Sequence, residues 1–365
     1  MKFTVSKDSF LKGLQMVQSI ISSHNTVAVL YNILIAAENG KIKMAATDLS
    51  VSLQYTLEGV DVAEPGATTL HARRLLGLVR ELPGEKIEVS VDDKNTALIQ
   101  AGSSNYKIYG IAAEEYPPIQ VSETENVFSL DQGTFREMLK KTVYAVSTDE
   151  SRQILNGILL SVSEQKLIVV ATDGRRLALI EQEIEIPVAA QVNVVIPTKT
   201  VNELVKVLGD DGVLKIKVVA GMISFEVDNV VIVSKLIDGN YPNYRQVIPD
   251  HCDEKISLER EIFLATLRRV SQLSKEKGVP VRLTFDTNQL RVFASVPDVG
   301  EADESMPIKY KGKTITMAFN PDFLMDPLRN LTSDEVNVEM VDDLSPAVIK
   351  CDIPFLYVIM PLRLS

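Results

Sequence analysis

Residues 3–14, FTVSKDSFLKGL, decide the fold, because the chain repeats their pattern as FSLDQGTFREML at 128–139 and as ISLEREIFLATL at 256–267. Each copy alternates apolar and polar residues like a short strand and then changes to the spacing of an amphipathic helix. The copies begin 125 and 128 residues apart. A pattern that recurs at a near-constant spacing indicates a repeated structural unit, so the chain of 365 residues is predicted to contain three repeats.

Each repeat contains two predicted helices, and each helix has one apolar face. The faces of the first helices are formed by Phe10, Leu14, Val17 and Ile21, by Phe135, Leu139, Val143 and Val146, and by Phe263, Leu267, Val270 and Leu273. The faces of the second helices are formed by Leu75, Leu76, Val79 and Leu82, by Val201, Leu204, Val205 and Leu208, and by Phe323, Leu324, Leu328 and Leu331. Thr200 and Glu203 have the spacing of a capping box, and Asn320-Pro321 places a cap before a first-turn proline.

A predicted hairpin lies between the two helices of each repeat, with polar turns at Asn39-Gly40, before Leu167, and at Thr287-Asn288. Tyr116-Pro117 and Tyr241-Pro242 close the first two repeats, and the acidic stretches 122–125 and 250–254 are interpreted as linkers. The sequence therefore predicts an α+β fold of three domains, at residues 1–121, 127–248 and 253–365. Each domain is expected to pack two helices on antiparallel β-sheets. The alternative is one large α/β domain.

The composition is that of a globular protein, with 45% hydrophobic residues, 49 acidic and 38 basic residues and a net charge of −11. The opening residues do not have the pattern of a signal peptide, and no apolar stretch is long enough for a membrane helix, so no membrane partner is expected. Cys252 and Cys351 are too far apart for a zinc motif and too few for a disulfide framework. These features favour a location in the reducing cytoplasm.

The charges are distributed unevenly along the chain. The six predicted helical segments together carry a net charge of +5, which leaves −16 for all other residues. Charged helix faces are usually just solvated. The alternative interpretation is a basic helical surface backed by acidic sheets.

Few residues suggest catalysis. His24, His71 and His251 do not have the spacing of metal ligands, and phosphate-binding loops and nucleophile motifs are absent from the sequence. Asp48 and Asp173 occupy matching places in the first two repeats and could act as an acid–base pair, but Thr-Asp before a loop more often forms a turn. We therefore expect no enzyme activity, no catalytic or metal site and no cofactor.

Six stretches of the chain resemble one known family. They are MKFTV at 1–5, EPGATT at 64–69, LNG at 155–157, ATDGRRLA at 171–178, SKLIDGNYP at 234–242 and YVIMPLRL at 357–364. They are similar to the bacterial sliding clamps, the beta subunits of DNA polymerase III, and the resemblance runs from end to end. It implies three DNA-clamp domains in each chain and a head-to-tail homodimer, which forms a six-domain ring around double-stranded DNA. Helices would line the hole and contact DNA without regard to sequence, so that the ring makes the polymerase processive.

The resemblance also implies two sets of contact residues. Positions that match DNA-facing sites of the family are His24, Arg73, Arg152, Gln153 and Lys199. His24 stands where the family may have an arginine, and Gln153-Ile154 stands where it has tyrosines. For ring closure, Tyr106 and Ile108 match positions that face Leu273 of the other chain, although ordinary core packing would also explain them.

A pocket for short partner peptides is a third site that the resemblance implies. The matching positions are Leu155, Thr172, Gly174, Arg175, Arg176, Leu177, Pro242, Gln246, Val247, Val358, Ile359, Met360, Pro361, Leu362 and Arg363. Apolar members would form its walls, and backbone groups and arginines at the rim would orient the peptide. The alternative for the tail is a buried edge strand, and both interpretations can hold at once. Arg175, Gln246 and Leu362 differ from the best-known members of the family.

The implied partners are the replicative polymerase alpha subunit, the clamp loader, repair and translesion polymerases, ligase and mismatch-repair proteins. Two other hypotheses remain open at this point. The chain could be a three-domain peptide-binding scaffold that does not encircle DNA, or an enzyme that uses Asp48 and Asp173.

Overall fold

The computed structural model describes residues 1–22, 25, 27–119, 127–184, 191–274 and 279–363. His24 and the predicted linker at 122–125 lie outside these residues. All six predicted helices are present. They are α1 (Lys7–Gln18), α2 (Ala72–Glu81), α3 (Gln132–Lys140), α4 (Thr198–Val207), α5 (Arg260–Ser274) and α6 (Pro321–Asn330).

Most residues of the predicted apolar faces are buried, but Val205, Leu273 and Phe323 are only partly buried. Two of the faces also run past the ends of their helices. The helix α1 stops at Gln18, and Ile20 rather than Ile21 is fully buried. The hydroxyl of Ser19 donates to the carbonyl oxygen of Met16 at 2.8 Å. This oxygen would accept a backbone hydrogen bond if the helix continued for another turn. Similarly, α3 ends at Lys140 and Val143 lies in a short 3-10 turn. The predicted faces were therefore too long in both helices.

The two predicted helix starts have different outcomes. The side chain of Asn320 accepts a hydrogen bond from the amide of Asp322, and Pro321 occupies the first turn of α6, so this cap is confirmed. The capping box in α4 is wrong, because α4 already begins at Thr198. The hydroxyl of Thr200 lies 2.6 Å from that of Ser234, a partner distant in sequence that the local pattern does not reveal.

The chain folds into two compact units, with residues 1–136 and 199–236 in unit 1 and residues 137–198 and 237–365 in unit 2. Unit 1 contains β1 (Lys2–Ser6), β2 (Asn32–Glu38), β3 (Lys41–Thr47), β4 (Val51–Glu58), β5 (Asp61–Glu64), β6 (Gly66–His71), β7 (Lys86–Val91), β8 (Thr96–Ala101), β9 (Ser104–Tyr109), β10 (Val127–Asp131), β15 (Val213–Val219), β16 (Met222–Val227) and β17 (Val230–Lys235). They form a five-stranded sheet in the order β5-β1-β7-β8-β9 and an eight-stranded sheet in the order β10-β15-β16-β17-β4-β3-β2-β6.

Unit 2 contains β11 (Gly157–Ser163), β12 (Lys166–Thr172), β13 (Arg176–Glu183), β14 (Val192–Pro197), β18 (Glu254–Glu259), β19 (Val281–Asp286), β20 (Gln289–Val296), β21 (Gly300–Pro307), β22 (Ile315–Phe319), β23 (Glu335–Met340), β24 (Ala347–Lys350) and β25 (Phe355–Ile359). They form an eight-stranded sheet in the order β14-β11-β12-β13-β25-β24-β23-β18 and a four-stranded sheet in the order β21-β20-β19-β22. All the pairings are antiparallel, as predicted.

The three predicted hairpins are present as β2–β3, β11–β12 and β19–β20. Asn39 and Gly40 both have positive φ, 50° and 72°, as the tight turn before β3 requires. Sheet pairing follows the repeat as well. Val51 pairs with Ser234 in unit 1, and Arg176 pairs with Ile359 in unit 2. Arg176 lies 125 residues after Val51, and Ile359 lies 125 residues after Ser234. The same strand framework is therefore built twice, once in each unit.

Candidate functional site

A tight turn between β12 and β13 forms the centre of the candidate site. The carboxylate of Asp173 accepts hydrogen bonds from the amides of Arg175 at 2.8 Å and Arg176 at 3.0 Å. The hydroxyl of Thr172 accepts from the amide of Gly174 and donates to the carbonyl oxygen of Arg176. Gly174 has a φ of 85°, which a glycine adopts without the steric cost that a side chain would bring. These bonds hold the turn rigid.

The chain tail is joined to this turn by backbone hydrogen bonds. Leu177 pairs with Thr172 on one side and with Val358 on the other, so three predicted pocket residues lie on adjacent strands. Beyond the strand, the amide of Met360 donates to the carbonyl oxygen of Arg175 at 2.9 Å. The amide of Leu362 donates to Ala318 at 2.7 Å, which ties the tail to the four-stranded sheet of unit 2.

The alternative that the tail is a buried edge strand is right about burial and wrong about the edge. The strand β25 lies in the middle of its eight-stranded sheet, paired with β13 and with β24. Its pairing with β13 is a contact between the middle and third repeats that hydropathy alone could not indicate. Val358 and Ile359 are consequently buried, whereas Met360 is 41% exposed and Leu362 is 42% exposed. The exposed residues are those that a ligand could reach.

An apolar cluster lies beneath the turn and the tail. Its buried members are Leu159, Ile168, Val170, Leu177, Leu179, Val195 and Val358, and the partly buried Tyr241, Tyr244 and Ile248 pack against it. Leu155 is buried as well, while Pro242, Gln246 and Val247 are exposed on the following loop. The structure thus brings the predicted pocket residues of unit 2 around one apolar floor. Burial raises the pKa of the Tyr241 hydroxyl, and the nearby backbone amide of Thr172 opposes this shift.

Two cavities of unit 2 are bordered by predicted pocket residues. A groove of about 550 Å³ is lined by Thr316, Ala318, Asp343, Leu344, Met360, Pro361, Leu362 and Arg363. A second cavity of about 290 Å³ is lined by Val146, Ser147, Thr148, Asp149, Arg152, Asp173, Arg175, Arg176 and Phe323. The first groove follows the tail, and the second adjoins the turn, so the two predicted segments each border an open space. A groove with apolar side chains and a few charged groups suits a short amphipathic peptide.

The two arginines of the turn differ in their surroundings. Arg175 is exposed, and none of the ion pairs found among the described residues involves it. The side chain of Arg176 is only 10% exposed and is paired with Asp173 and Asp326. Burial opposes the charge on Arg176, but Tyr357 and Asp326 outweigh it, so the pKa of the guanidinium is raised. Of the two, Arg175 is the one available to a ligand.

The first repeat contains the same turn with different chemistry. Asp48 accepts from the amides of Ser50 at 2.9 Å and Val51 at 2.8 Å, and Leu49 has a φ of 73° where the second repeat has Gly174. Both Asp48 and Asp173 therefore organise turns, as the turn interpretation predicted. Burial opposes ionisation of Asp48, but the Lys199 ammonium at 2.5 Å and the turn amides outweigh it and lower the pKa of the carboxyl.

The residues matched to DNA-facing positions lie in different settings. Arg73 is exposed on α2 of unit 1. Lys199, also in unit 1, pairs with Asp48 and donates to the carbonyl oxygen of Ile20 at 2.8 Å. In unit 2, Gln153 is exposed, and Arg152 lines the 290 Å³ cavity and reaches the carbonyl oxygen of Asp173 at 3.4 Å. Arg152 thus belongs geometrically to the surroundings of the turn.

The residues matched to the dimer contact lie at sheet edges. Tyr106 and Ile108 are on β9, the last strand of the five-stranded sheet in unit 1, and Tyr106 is 43% exposed. In unit 2, Leu273 on α5 lies beside Gly300, the first residue of β21, which is an edge strand of its own sheet. An edge strand has unpaired backbone groups that can bind another chain.

Several residues at the site were missed by sequence reasoning. The sequence pattern places Phe323 only on the apolar face of α6, yet it is partly exposed and lines the 290 Å³ cavity. Leu344 is 72% exposed and lines the larger groove, although nothing in the local sequence marks it. Asp326 and Tyr144 contact Arg176 from distant parts of unit 2. Only the unusual exposure of Leu344, seen in three dimensions, identifies it.

Two kinds of feature are absent from the described residues. No helix within these residues is long and apolar enough to cross a membrane. Over the same ranges, no group of three or more histidine, cysteine, aspartate or glutamate side chains is arranged to hold a metal ion.

Comparison with known proteins covers the whole length of the chain. Three family models match, the N-terminal, central and C-terminal domains of the DNA polymerase III beta subunit, at residues 1–120, 129–243 and 245–363. The beta sliding clamp of Chlamydia trachomatis is 32% identical over 100% of this chain and 87% of the relative. That of Escherichia coli K12 is 31% identical over 100% of both chains.

Solved structures agree with this assignment. The sliding clamp of Pseudomonas aeruginosa bound to griselimycin is similar, with a TM-score of 0.95, 31% identity and full coverage of both chains. The sliding clamp of Bacillus subtilis has a TM-score of 0.96 at 29% identity, again with full coverage. Proteins of this kind are processivity factors rather than enzymes. The chain belongs to the family of DNA polymerase III beta subunits, the bacterial beta sliding clamps.

Proposed function

We propose that two copies of this chain close into a six-domain ring around double-stranded DNA and tether the replicative polymerase to it. The observation that carries the proposal is the match of the entire chain, in sequence and in fold, to beta sliding clamps. A topological link explains processivity without tight binding, because a ring that cannot fall off needs only weak contacts and remains free to slide.

The charge distribution supports the DNA part of the proposal. The helices α1 to α6, with the bounds given above, carry a net charge of +6 in a chain whose net charge is −11. Helices lining the hole would attract phosphates through a few positive side chains such as Arg73, and contacts to phosphates carry no sequence information. Lys199 is largely neutralised by Asp48, which keeps the attraction modest. His24 remains a proposed contact by its position in the sequence alone.

The sheet edges support the homodimer. We propose that β9 of one protomer, with Tyr106 and Ile108, docks head-to-tail against the surface around Leu273 and β21 of its partner. Both strands end their sheets and so have backbone groups available for pairing. Apolar side chains beside such an edge would add burial to the new backbone bonds.

The pocket of unit 2 would bind the partners. A peptide strand or turn with apolar anchors would fill the space along Met360, Leu362 and Val247, with Leu155 and Leu177 beneath it. Methionine adapts its shape to different ligands, which suits a site that several proteins share. We propose the polymerase alpha subunit as the main partner. The clamp loader, repair and translesion polymerases, ligase and mismatch-repair proteins would use the same pocket in the bacterial cytoplasm, at the nucleoid.

The state of association tests the ring. Native mass measurement at micromolar concentration should give about twice the 40.3 kDa of one chain. Ile108→Asp should shift the mass to that of a monomer, because it puts a charge into the proposed contact. Tyr109→Ser is the matched control, since neighbouring side chains of a strand point to opposite faces. A monomeric wild-type chain would refute the proposal.

Retention on DNA separates a sliding clamp from a peptide-binding scaffold. After loading, the wild-type chain should stay on nicked circular DNA and leave when the circle is linearised, because only a closed circle prevents a ring from sliding off. A scaffold without a ring would show no difference between the two DNA forms. An enzyme that uses Asp48 and Asp173 would lose its effect in Asp48→Asn, whereas a clamp should still support replication, because Asp48 belongs to unit 1 and the peptide pocket to unit 2.

A further inference from the structure

Arg176 has the most contacts of any charged side chain described at the pocket. Its Nε donates to Oδ2 of Asp173 at 3.0 Å, its Nη1 to Oδ2 of Asp326 at 2.5 Å, and its Nη2 to the carbonyl oxygen of Tyr144 at 2.5 Å. The guanidinium carbon also lies 4.2 Å from the ring centroid of Phe323. All three nitrogens of the guanidinium therefore have a partner inside unit 2.

These contacts join three segments that are far apart in the sequence. Asp173 belongs to the pocket turn of the second repeat, Asp326 and Phe323 belong to α6 of the third repeat, and Tyr144 follows α3. Phe323 and Asp173 line the same 290 Å³ cavity, which Arg176 itself borders. The turn and α6 therefore both border this cavity, and Arg176 is bonded to both.

Only an arginine could make this connection. Its planar group presents five N–H donors in fixed directions, whereas a lysine has one point charge with rotating donors. A charge that is only 10% exposed is costly to bury unless it is paired, and here two carboxylates and a carbonyl oxygen compensate it. Because Asp173, Asp326 and the carbonyl oxygen of Tyr144 would each lose a donor if the guanidinium withdrew toward a ligand, Arg176 is held in place.

The first repeat provides an internal comparison. The residue equivalent to Arg176 in its turn is Val51, which is 1% exposed and apolar. The turn carboxylate there, Asp48, pairs with Lys199 instead. The turn of the first repeat therefore forms without any arginine, so Arg176 is not required for the turn itself. Its contribution lies in connecting the turn to α6.

We propose that Arg176 is a positioning residue, which fixes the spacing between the Thr172–Arg176 turn and α6 and so shapes the peptide pocket without donating a hydrogen bond to the peptide. This rests on the proposed function of the pocket. It differs from the expectation that both arginines of the turn orient the ligand from the rim.

The test uses the full-length chain and a tryptophan-labelled peptide from the polymerase alpha subunit. The chain has no tryptophan, so the fluorescence of the peptide is measured without background. Affinity and melting temperature are determined for Arg176→Lys, Asp326→Asn and the double variant. We expect each single variant to bind the peptide at least tenfold more weakly, and the double variant to be no weaker than the worse single variant, because both break the same connection.

The matched control is Gln132→Ala in unit 1. Gln132 is 1% exposed and its side chain accepts from the amide of Gly209 at 2.9 Å, so its loss lowers stability without touching the pocket. This variant should melt earlier and bind the peptide as the wild type does.

Three results would overturn the proposal, and they can be told apart. Weak binding by Arg176→Lys with normal binding by Asp326→Asn would mean that Arg176 contacts the peptide directly. Lower melting temperatures with unchanged affinities would mean that the connection only stabilises the fold. If the wild-type chain itself does not bind the peptide, the proposed function of the pocket fails, and the role of Arg176 fails with it.

Discussion

The amide of Met360 donates to the carbonyl oxygen of Arg175 at 2.9 Å, and in unit 1 the amide of Lys235 donates to that of Ser50 at 2.8 Å. Met360 lies 125 positions after Lys235, and Arg175 lies 125 positions after Ser50. The backbone frame of the pocket thus exists in both units, and side chains decide which one can hold an apolar ligand. Leu177 and Met360 of unit 2 correspond to Ser52 and Lys235 of unit 1. Because Ser52 and Lys235 are polar, we propose an apolar peptide pocket in unit 2 and none in unit 1.

A side chain at Gly174 should damage the pocket turn. Gly174 has a φ of 85°, and a Cβ there would lie 3.2 Å from Nη1 of Arg152. We expect Gly174→Ala to lower the free energy of unfolding by about 1–2 kcal/mol and to weaken peptide binding. Gly221→Ala, at a φ of 75° with open space around it in unit 1, should cost similar stability and leave peptide affinity unchanged. Urea denaturation and peptide titration measure the two effects, and equal affinities for both variants would contradict the prediction.

Deleting residues 360–365 should abolish binding of the polymerase peptide and leave the native mass that of a dimer. The deletion removes Met360 and Leu362 and their bonds to Arg175 and Ala318, but it keeps β25 between its two neighbours. A shorter deletion of residues 364–365 retains both bonds and should bind normally. Peptide titration with native mass measurement checks this. Binding that survives the longer deletion would show that the pocket lies elsewhere.

The Asp48 carboxylate should stabilise the fold only at pH values where it is ionised. Its pKa is lowered in the folded chain, because Lys199 and the turn amides outweigh the effect of burial. A lowered pKa gives stability above the unfolded value, about 3.9, that is lost as the pH falls through the folded value. Asp48→Asn should therefore cost about 1 kcal/mol at pH 7 and much less near pH 2. Urea denaturation of both chains at each pH measures this, and an equal cost at both would refute the ionic explanation.

The charge of Arg175 should select among partner peptides. It is exposed at a cavity where Asp173 is already occupied by Arg176 and by turn amides. We expect Arg175→Glu to weaken binding of a peptide with an added aspartate by roughly 3- to 10-fold at 0.1 M salt, with a smaller effect at 1 M. Arg74→Glu makes the same change of charge in unit 1 and should have little effect. If the loss were the same for the neutral parent peptide, charge would not be the cause.

Patterns that depend on near neighbours in the sequence were predicted well. Helical spacing revealed all six helices, and the cap at Asn320 and the hairpin turn at Asn39-Gly40 follow from local rules. The errors arose where a distant residue competes with a local one. The hydroxyl of Thr200 lies beside that of Ser234, and the hydroxyl of Ser19 lies 2.5 Å from a carboxylate oxygen of Glu203 at the point where α1 stops. Such partners are set by the packing of the sheets, which no window of the sequence contains.

At the candidate site, too, the sequence predicted the segments involved but not the contacts between distant residues. The resemblance identified the turn, the loop and the tail, and the structure brings them together around one apolar floor. It could not distinguish the exposed Arg175 from the buried Arg176, because their difference depends on Asp326 and Tyr144. The central position of β25 was also hidden, since a buried strand of apolar residues looks alike at an edge and in the middle of a sheet.

The middle repeat gives β10 and β15 to β17 to the large sheet of unit 1, and β11 to β14 to that of unit 2. Its strands β17 and β13 each pair with a strand from another repeat, β4 and β25. A fragment limited to residues 127–248 would lose both partners and present two open edges to solvent. We expect such a fragment to aggregate when expressed alone, so the smallest piece of this chain that can be produced for separate study is larger than one repeat.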